Sequence, residues 1–178
     1  MIQTKNERNA AYENLLTRRS IRQYTEDPVS MDEMEAVLTA GMHAPSAKGL
    51  CSPYTVALMD RDEIRELSEI VSGIQESVSD TFYGAPSVVC IFSRGGSANG
   101  VQDASLLAGN IMNAANALGL GTCWVNRAQE TFETPAGMEL LKTWRVPHGY
   151  VALAFIVMGH PEEERSERRI IKKYVIRQ

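Results

Sequence analysis

The sequence predicts a single domain of the α+β class. Helical stripes and short β-rich runs follow one another without the regular strand–helix alternation of a doubly wound sheet. The chain has 178 residues, a length that suits one domain of ~100–200 residues. No repeat, low-complexity tract or long linker divides it.

Each element follows from a local pattern. A first helix is expected over about 7–17, with Tyr12, Leu15 and Leu16 on one side. Residues 18–24 read as extended. Ser30-Met31-Asp32-Glu33 has capping-box spacing, so a helix should follow with Met34, Val37 and Leu38 inward, ending near Gly41. Residues 53–59 look like a strand. Asp60 then caps a helix striped by Ile64, Leu67 and Val71. Residues 87–92 form a short apolar run, hence a buried strand, and 94–100 a Gly-, Ser- and Asn-rich loop. The helix expected over 102–118 is small and apolar nearly all round, which means burial. In a chain this small, burial on every side suggests packing against a second subunit. Gly119-Leu120-Gly121 stops that helix, with Gly in the left-handed position. A strand follows over 122–125, then a helix over 135–144 that opens on Pro135, as a first turn tolerates. A strand over 150–158 closes at Gly159-His160-Pro161. The charged run 162–169 is solvated. Residues 170–176 have β propensity but stand alone, so they must find a sheet edge, their own or a partner's.

Composition excludes several classes. Lys and Arg total 18 against 22 Asp and Glu, a formal net charge of -4, which gives no support to a non-specific nucleic-acid binder. The longest apolar stretch, 150–158, is far short of the ~20 residues of a membrane span. No apolar core of a signal peptide stands at the start. Cys51, Cys90 and Cys123 are too few and scattered for a disulfide framework or zinc knuckle, so a reducing cytoplasm is the simplest expectation.

Three segments could carry chemistry. In an extended segment alternate side chains share a face, which puts Arg18, Ser20 and Arg22 together. Two guanidinium forks and a hydroxyl can neutralise and hydrogen-bond a phosphate dianion; an exposed basic turn has the same pattern. Ala44-Pro45-Ser46-Ala47-Lys48-Gly49 lets backbone approach a flat ligand closely and supplies donors at Ser46 and Lys48, though an ordinary helix-to-strand connection also reads this way. Gly119-Leu120-Gly121-Thr122-Cys123-Trp124-Val125-Asn126 lacks the third glycine of a dinucleotide fingerprint and follows a helix, so it is a helix stop whose strand can still present N–H groups to a ligand. His43, His148 and His160 lack metal-ligand spacing and are expected at the surface or in caps. Cys51 and His43 could pair as a thiol nucleophile, but no orienting third group is identifiable. Trp124, Phe132, Trp144 and Phe155 are expected in the core.

These pieces, in this order, resemble the nitroreductase family of flavoproteins. The resemblance runs from the first helix to the C-terminal strand. Arg18-Arg19-Ser20-Ile21-Arg22-Gln23-Tyr24, Ala44-Pro45-Ser46-Ala47, Tyr83-Gly84-Ala85-Pro86, Gln102-Asp103-Ala104-Ser105, the segment from Ala117 to Val125 and Met158-Gly159-His160-Pro161 carry it. It implies a mostly antiparallel sheet flanked by helices, in an intertwined homodimer that exchanges its C-terminal strand and holds two FMN at the interface. It implies that Arg18, Arg19, Ser20 and Arg22 hold the phosphate and ribityl end, with a C-terminal basic residue helping: Arg168 or Arg169 match best by position, then Lys172. Pro45, Ser46 and Ala47, with Lys48 beside them, would line the flavin from the other subunit. Trp124, Val125 and Asn126 would offer a backbone N–H towards its N5. Gly49 and Cys51 depart from the family pattern, standing where members often carry an Asn and a Gln that contact the ring.

The activity implied is hydride transfer from NADH or NADPH through FMN to a small electron-poor acceptor such as a nitroaromatic or quinone. No protein acid, base, nucleophile or metal is required, because the cofactor carries the chemistry. Dehalogenation, flavin cleavage, dehydrogenation, or flavin binding without turnover remain compatible with the same fold.

Overall fold

The structure, a computed structural model, describes residues 9–50, 53–75, 80–162 and 175–177. Four strands, β1 (Tyr54–Leu58), β2 (Ser87–Arg94), β3 (Gly121–Val125) and β4 (Tyr150–Gly159), form one antiparallel sheet in the order β1-β2-β4-β3. The central pair runs from Ser87 opposite Met158 to Arg94 opposite Tyr150, with one register shift between Ile91 and Phe92. Every residue of β2 except Arg94 is buried, as a run apolar on both faces requires.

Alternation along these strands divides the core into two layers. Val88, Cys90, Phe92, Phe155 and Val157 face α3 (Arg61–Ile74), α5 (Ala128–Glu133) and α6 (Pro135–Thr143). Val89, Ile91, Ile156 and Met158 face α2 (Met31–Met42) and α4 (Gly100–Ala117). The first layer is aromatic: the Phe155 ring centroid lies 5.3 Å from that of Phe82 and 5.9 Å from that of Phe132, which itself sits 5.4 Å from Phe92. Phe132 and Phe155 are core residues as expected, whereas Trp124 and Trp144 are only half-buried at its margin.

Local chemistry sets the helix ends. The Ser30 hydroxyl accepts from Glu33 N, and the Glu33 carboxylate accepts from Ser30 N at 2.8 Å, completing the box that starts α2. The Glu33 carboxylate also accepts from Ser30 Oγ at 2.7 Å, and that bond with the one from Ser30 N holds its carboxyl below the ordinary value. At the other end of the fold, α4 stops in a Schellman turn: Leu120 N donates to Ala115 O and Gly119 N to Asn116 O, with Gly119 at φ 83°.

Within one chain α4 is buried along a single face, through Ala104, Leu107, Ala108, Ile111 and Ala115, and it turns Val101 and Leu106 to solvent. Helix α5 adds an element that the sequence pattern does not announce. Arg127 precedes it at φ 75° without a side-chain cap, and six residues are too few for a stripe. The first helix, α1 (Ala10–Thr17), begins inside the expected span, whose first two residues lie outside the described ones. The C-terminal strand expected over 170–176 falls mostly outside them too; of it, Val175 and Ile176 are described, and both are exposed.

Candidate functional site

The extended segment after α1 docks on the edge of the sheet. Ser20 bridges Thr122 in parallel, and Ile21 N donates to Thr122 O at 3.0 Å. The Ile21 side chain is buried against Gly121, where an added Cβ would lie 2.8 Å from Ile21 Cβ. The chain then crosses to the end of β4, where Tyr24 pairs with Pro161 and Thr25 N donates to His160 O. Burying Ile21 and Tyr24 leaves Ser20 and Arg22 exposed, as the alternation predicts. Arg18 is half-buried. Arg19 turns back, its guanidinium donating to Leu16 O and Arg18 O at 2.8 Å each, so it ties the end of α1 to the segment.

β3 is an edge strand, and the candidate site lies on its outer side. Thr122 O accepts from Ile21, so Thr122 directs its backbone groups away from β4. Residues two apart share that direction, so Trp124 turns its N–H outward as well. Just past Thr122 a cavity of about 530 Å³ opens, lined by Trp124, Val125 and Asn126 on one side and Thr81 and Tyr83 on the other. Trp124 Nε1 donates to Asn126 Oδ1 at 2.8 Å, which fixes both side chains. The Arg22 guanidinium lies 5.9 Å from the centroid of the Tyr83 ring, so the arginine segment and this cavity meet at one aromatic.

Tyr83 is a site residue that sequence reasoning quoted but did not place. It is exposed and adopts φ 59°, held there by Asp80, whose carboxylate accepts from Phe82 N at 2.9 Å and Gly84 N at 2.6 Å. An Asp three residues before an aromatic–glycine pair was the available signal.

The second predicted segment lies apart from the first. Ser46 precedes a 3-10 turn, Ala47–Gly49, with Lys48 at φ 57° and Gly49 at φ 67°. Ala47 N donates to the buried Asp103 carboxylate on α4 at 2.9 Å. Ala47 and Lys48 line another cavity with Arg94 and Tyr150. Tyr150 and Ile156, the β4 partner of Trp124, are ~20 Å apart along the strand at ~3.3 Å per residue. One chain therefore does not bring Pro45, Ser46 and Ala47 to the Trp124 cavity.

Cys51, Arg168, Arg169 and Lys172 lie outside the described residues, as does the Cys51–His43 pairing. His43 is the exposed C-cap of α2, its Nδ1 3.1 Å from Thr39 O, and His148 is exposed. No cluster of metal-ligating side chains occurs among the described residues. Cys90 and Cys123 are buried, and burial pushes the Cys90 thiol up, which makes it inert as a nucleophile. No described helix is long and apolar enough to cross a membrane.

Comparison with known proteins identifies the family and the fold. Residues 15–160 match the profile of the Nitroreductase family. A protein of Archaeoglobus fulgidus inferred to be an NADH dehydrogenase/NAD(P)H nitroreductase is 30% identical over 155 residues, 85% of this chain and 86% of its own. An FMN reductase [NAD(P)H] of Bacillus subtilis is 24% identical, over 90% of this chain and 69% of its own. Among solved structures, a nitroreductase with bound FMN from Bacteroides fragilis superposes with a TM-score of 0.81 at 23% identity, covering 96% of both chains. With the family profile spanning residues 15–160, a 30% identical relative and the antiparallel sheet in agreement, the chain belongs to the nitroreductase family.

Proposed function

We propose that the protein is an FMN-dependent oxidoreductase that takes hydride from NADH or NADPH and works as a homodimer. The observation that carries this reading is the outer edge of β3. There Ser20 and Ile21 cover Thr122, and the adjoining cavity meets Arg22 across Tyr83. The residues present suit the cofactor. A cavity of about 530 Å³ falls within the ~300–1,000 Å³ of small-molecule sites. Ser20 and Arg22 offer a hydroxyl and a guanidinium fork to a phosphate. The outward N–H of Trp124 offers a donor to a ring edge.

When bound, FMN supplies the hydride chemistry, receiving it from the nicotinamide and passing it to a flat electron-poor acceptor such as a nitroaromatic or a quinone. The chain's own work is placement. Arg22 and Ser20, with Arg18 behind them and Arg168, Arg169 or Lys172 from the C-terminal segment, neutralise the phosphate. Asn126 and Trp124 present the polar edge of the cavity. Pro45, Ser46 and Ala47 belong to the second half-site, and a partner chain brings them to the ring. The ~20 Å along β4 between the two half-sites supports a dimer in which each chain completes the other's site.

An absorption spectrum tests the reading. The purified protein should be yellow, with flavin absorbance that NADPH or NADH bleaches and a nitroaromatic restores. A colourless protein that ignores added FMN overturns it.

A further inference from the structure

The second cavity, about 550 Å³, lies between the turn Ala47–Gly49, the loop that follows β2 and the start of β4. Two cationic side chains line it, Lys48 and Arg94. Both are exposed, and neither has a carboxylate within ion-pair distance among the described residues. Ser97 and Asn99 add a hydroxyl and an amide. The one carboxylate among the described lining residues, Asp103, is 5% exposed, and its Oδ1 accepts from Ala47 N at 2.9 Å. Positive charge therefore dominates the open part of a concave surface, and concavity focuses its field.

The position of Lys48 sharpens this. Its backbone is left-handed, a conformation that a Cβ disfavours, and no neighbouring side chain bonds its ammonium among the described residues. The turn continues directly from Pro45 and Ser46, which the proposed function sets against the flavin ring.

We propose that this cavity is an anion subsite for the substrate. It takes a phosphate or carboxylate carried by a molecule whose reacting ring lies against the flavin. Arg94 pairs the oxyanion through its fork, and Lys48 serves as a point charge. The inference rests on the proposed function for the placement of the ring, while the anion site itself rests on the cavity. The anion can belong to the reductant, as the extra phosphate of NADPH over NADH, or to the acceptor.

The test compares Arg94→Gln and Lys48→Gln with the parent, all as full-length, FMN-loaded protein. Two matched pairs are used: 4-nitrobenzoate against its methyl ester, and NADPH against NADH. In the variants the kcat/KM ratio of the charged over the neutral acceptor should fall about tenfold, the scale of one charge-assisted hydrogen bond. Added salt should shrink the parent's ratio and shift the variants' less. A fall confined to the NADPH/NADH ratio also supports the subsite and puts the anion on the reductant. Ratios within twofold of the parent in both pairs overturn it.

Calorimetric titration of flavin-free protein with 4-nitrobenzoate reads the cavity without turnover, and binding should weaken about tenfold in Arg94→Gln. Protein that never takes up FMN yet shows this Arg94-dependent binding overturns the proposed function and supports the anion site. Enzyme that reduces both acceptors with unchanged ratios overturns the anion site alone.

Discussion

Arg22 joins the arginine segment to the Trp124 cavity with a single side chain. Its guanidinium lies over the exposed ring of Tyr83, a contact that in open water is worth only about 0.5–1 kcal/mol. A phosphate held by the same fork gains much more, because a hydrogen bond to a charged group is worth about 1.5–3 kcal/mol. Arg22→Ala should therefore weaken FMN retention by about 1.5–3 kcal/mol. Arg22→Lys should restore only part of the loss, since a point charge does not reproduce the bidentate fork. Quenching of flavin fluorescence during titration measures both. Unchanged affinity in Arg22→Ala removes the residue from the site. Arg19 invites no such test, because its contacts with Leu16 O and Arg18 O already give it a structural role.

The arginine segment works only if it stays docked on β3, and Gly121 permits that docking. A Cβ there would meet Ile21 Cβ, Cγ1 and Cγ2 at 2.8–2.9 Å, and a branched side chain buried to 3% has no room to retreat. Gly121→Ala should cost about 1–3 kcal/mol as overpacking and reduce FMN affinity with it, as Ser20 and Arg22 are pushed off register. Gly73→Ala on α3 is the control, since an added Cβ meets nothing within 4 Å and the helix gains propensity. Chemical denaturation and flavin titration on both variants check the pair. A Gly121→Ala protein of parental stability and affinity overturns the argument.

Elements of this kind were legible in the sequence where one local rule governs them. The alternation of Ser20, Ile21 and Arg22, the capping box at Ser30 and Glu33, and the Gly119 stop each depend on neighbours in the chain. Helix α5 was not legible, having neither cap nor stripe. Nor were Tyr83, Arg94 and Asp103 as site residues. Tyr83 meets Arg22, and Asp103 meets Ala47, across long stretches of chain, and no spacing rule encodes such meetings.

At the scale of the whole molecule, two features of the chain bear on the proposed dimer. The Ala47 turn and the Trp124 cavity stand ~20 Å apart along β4, and α4, whose inner face builds the core, turns Val101 and Leu106 outward at 57% and 47% exposure. Tyr12 and Leu15 are likewise exposed on α1, which is tied to α4 through Asn14 and Asn113. Exposed apolar side chains on two tied helices suit an interaction surface, and the proposed dimer would use it. A second copy packed there would bury them and bring its own Pro45, Ser46 and Ala47 towards the first copy's Trp124 cavity. Leu106→Glu puts a charge into that seam without touching the core, since Leu106 faces solvent within its own chain. An unpaired charge buried in an apolar contact is costly enough to neutralise or expel. Sedimentation should show the parent as a dimer and Leu106→Glu as a folded monomer, and the monomer should release FMN even though Ser20, Arg22 and Trp124 are intact. A variant that stays dimeric moves the seam away from α4. A monomer that keeps its flavin with parental affinity shows that one chain builds the whole site, and the requirement for a partner then falls.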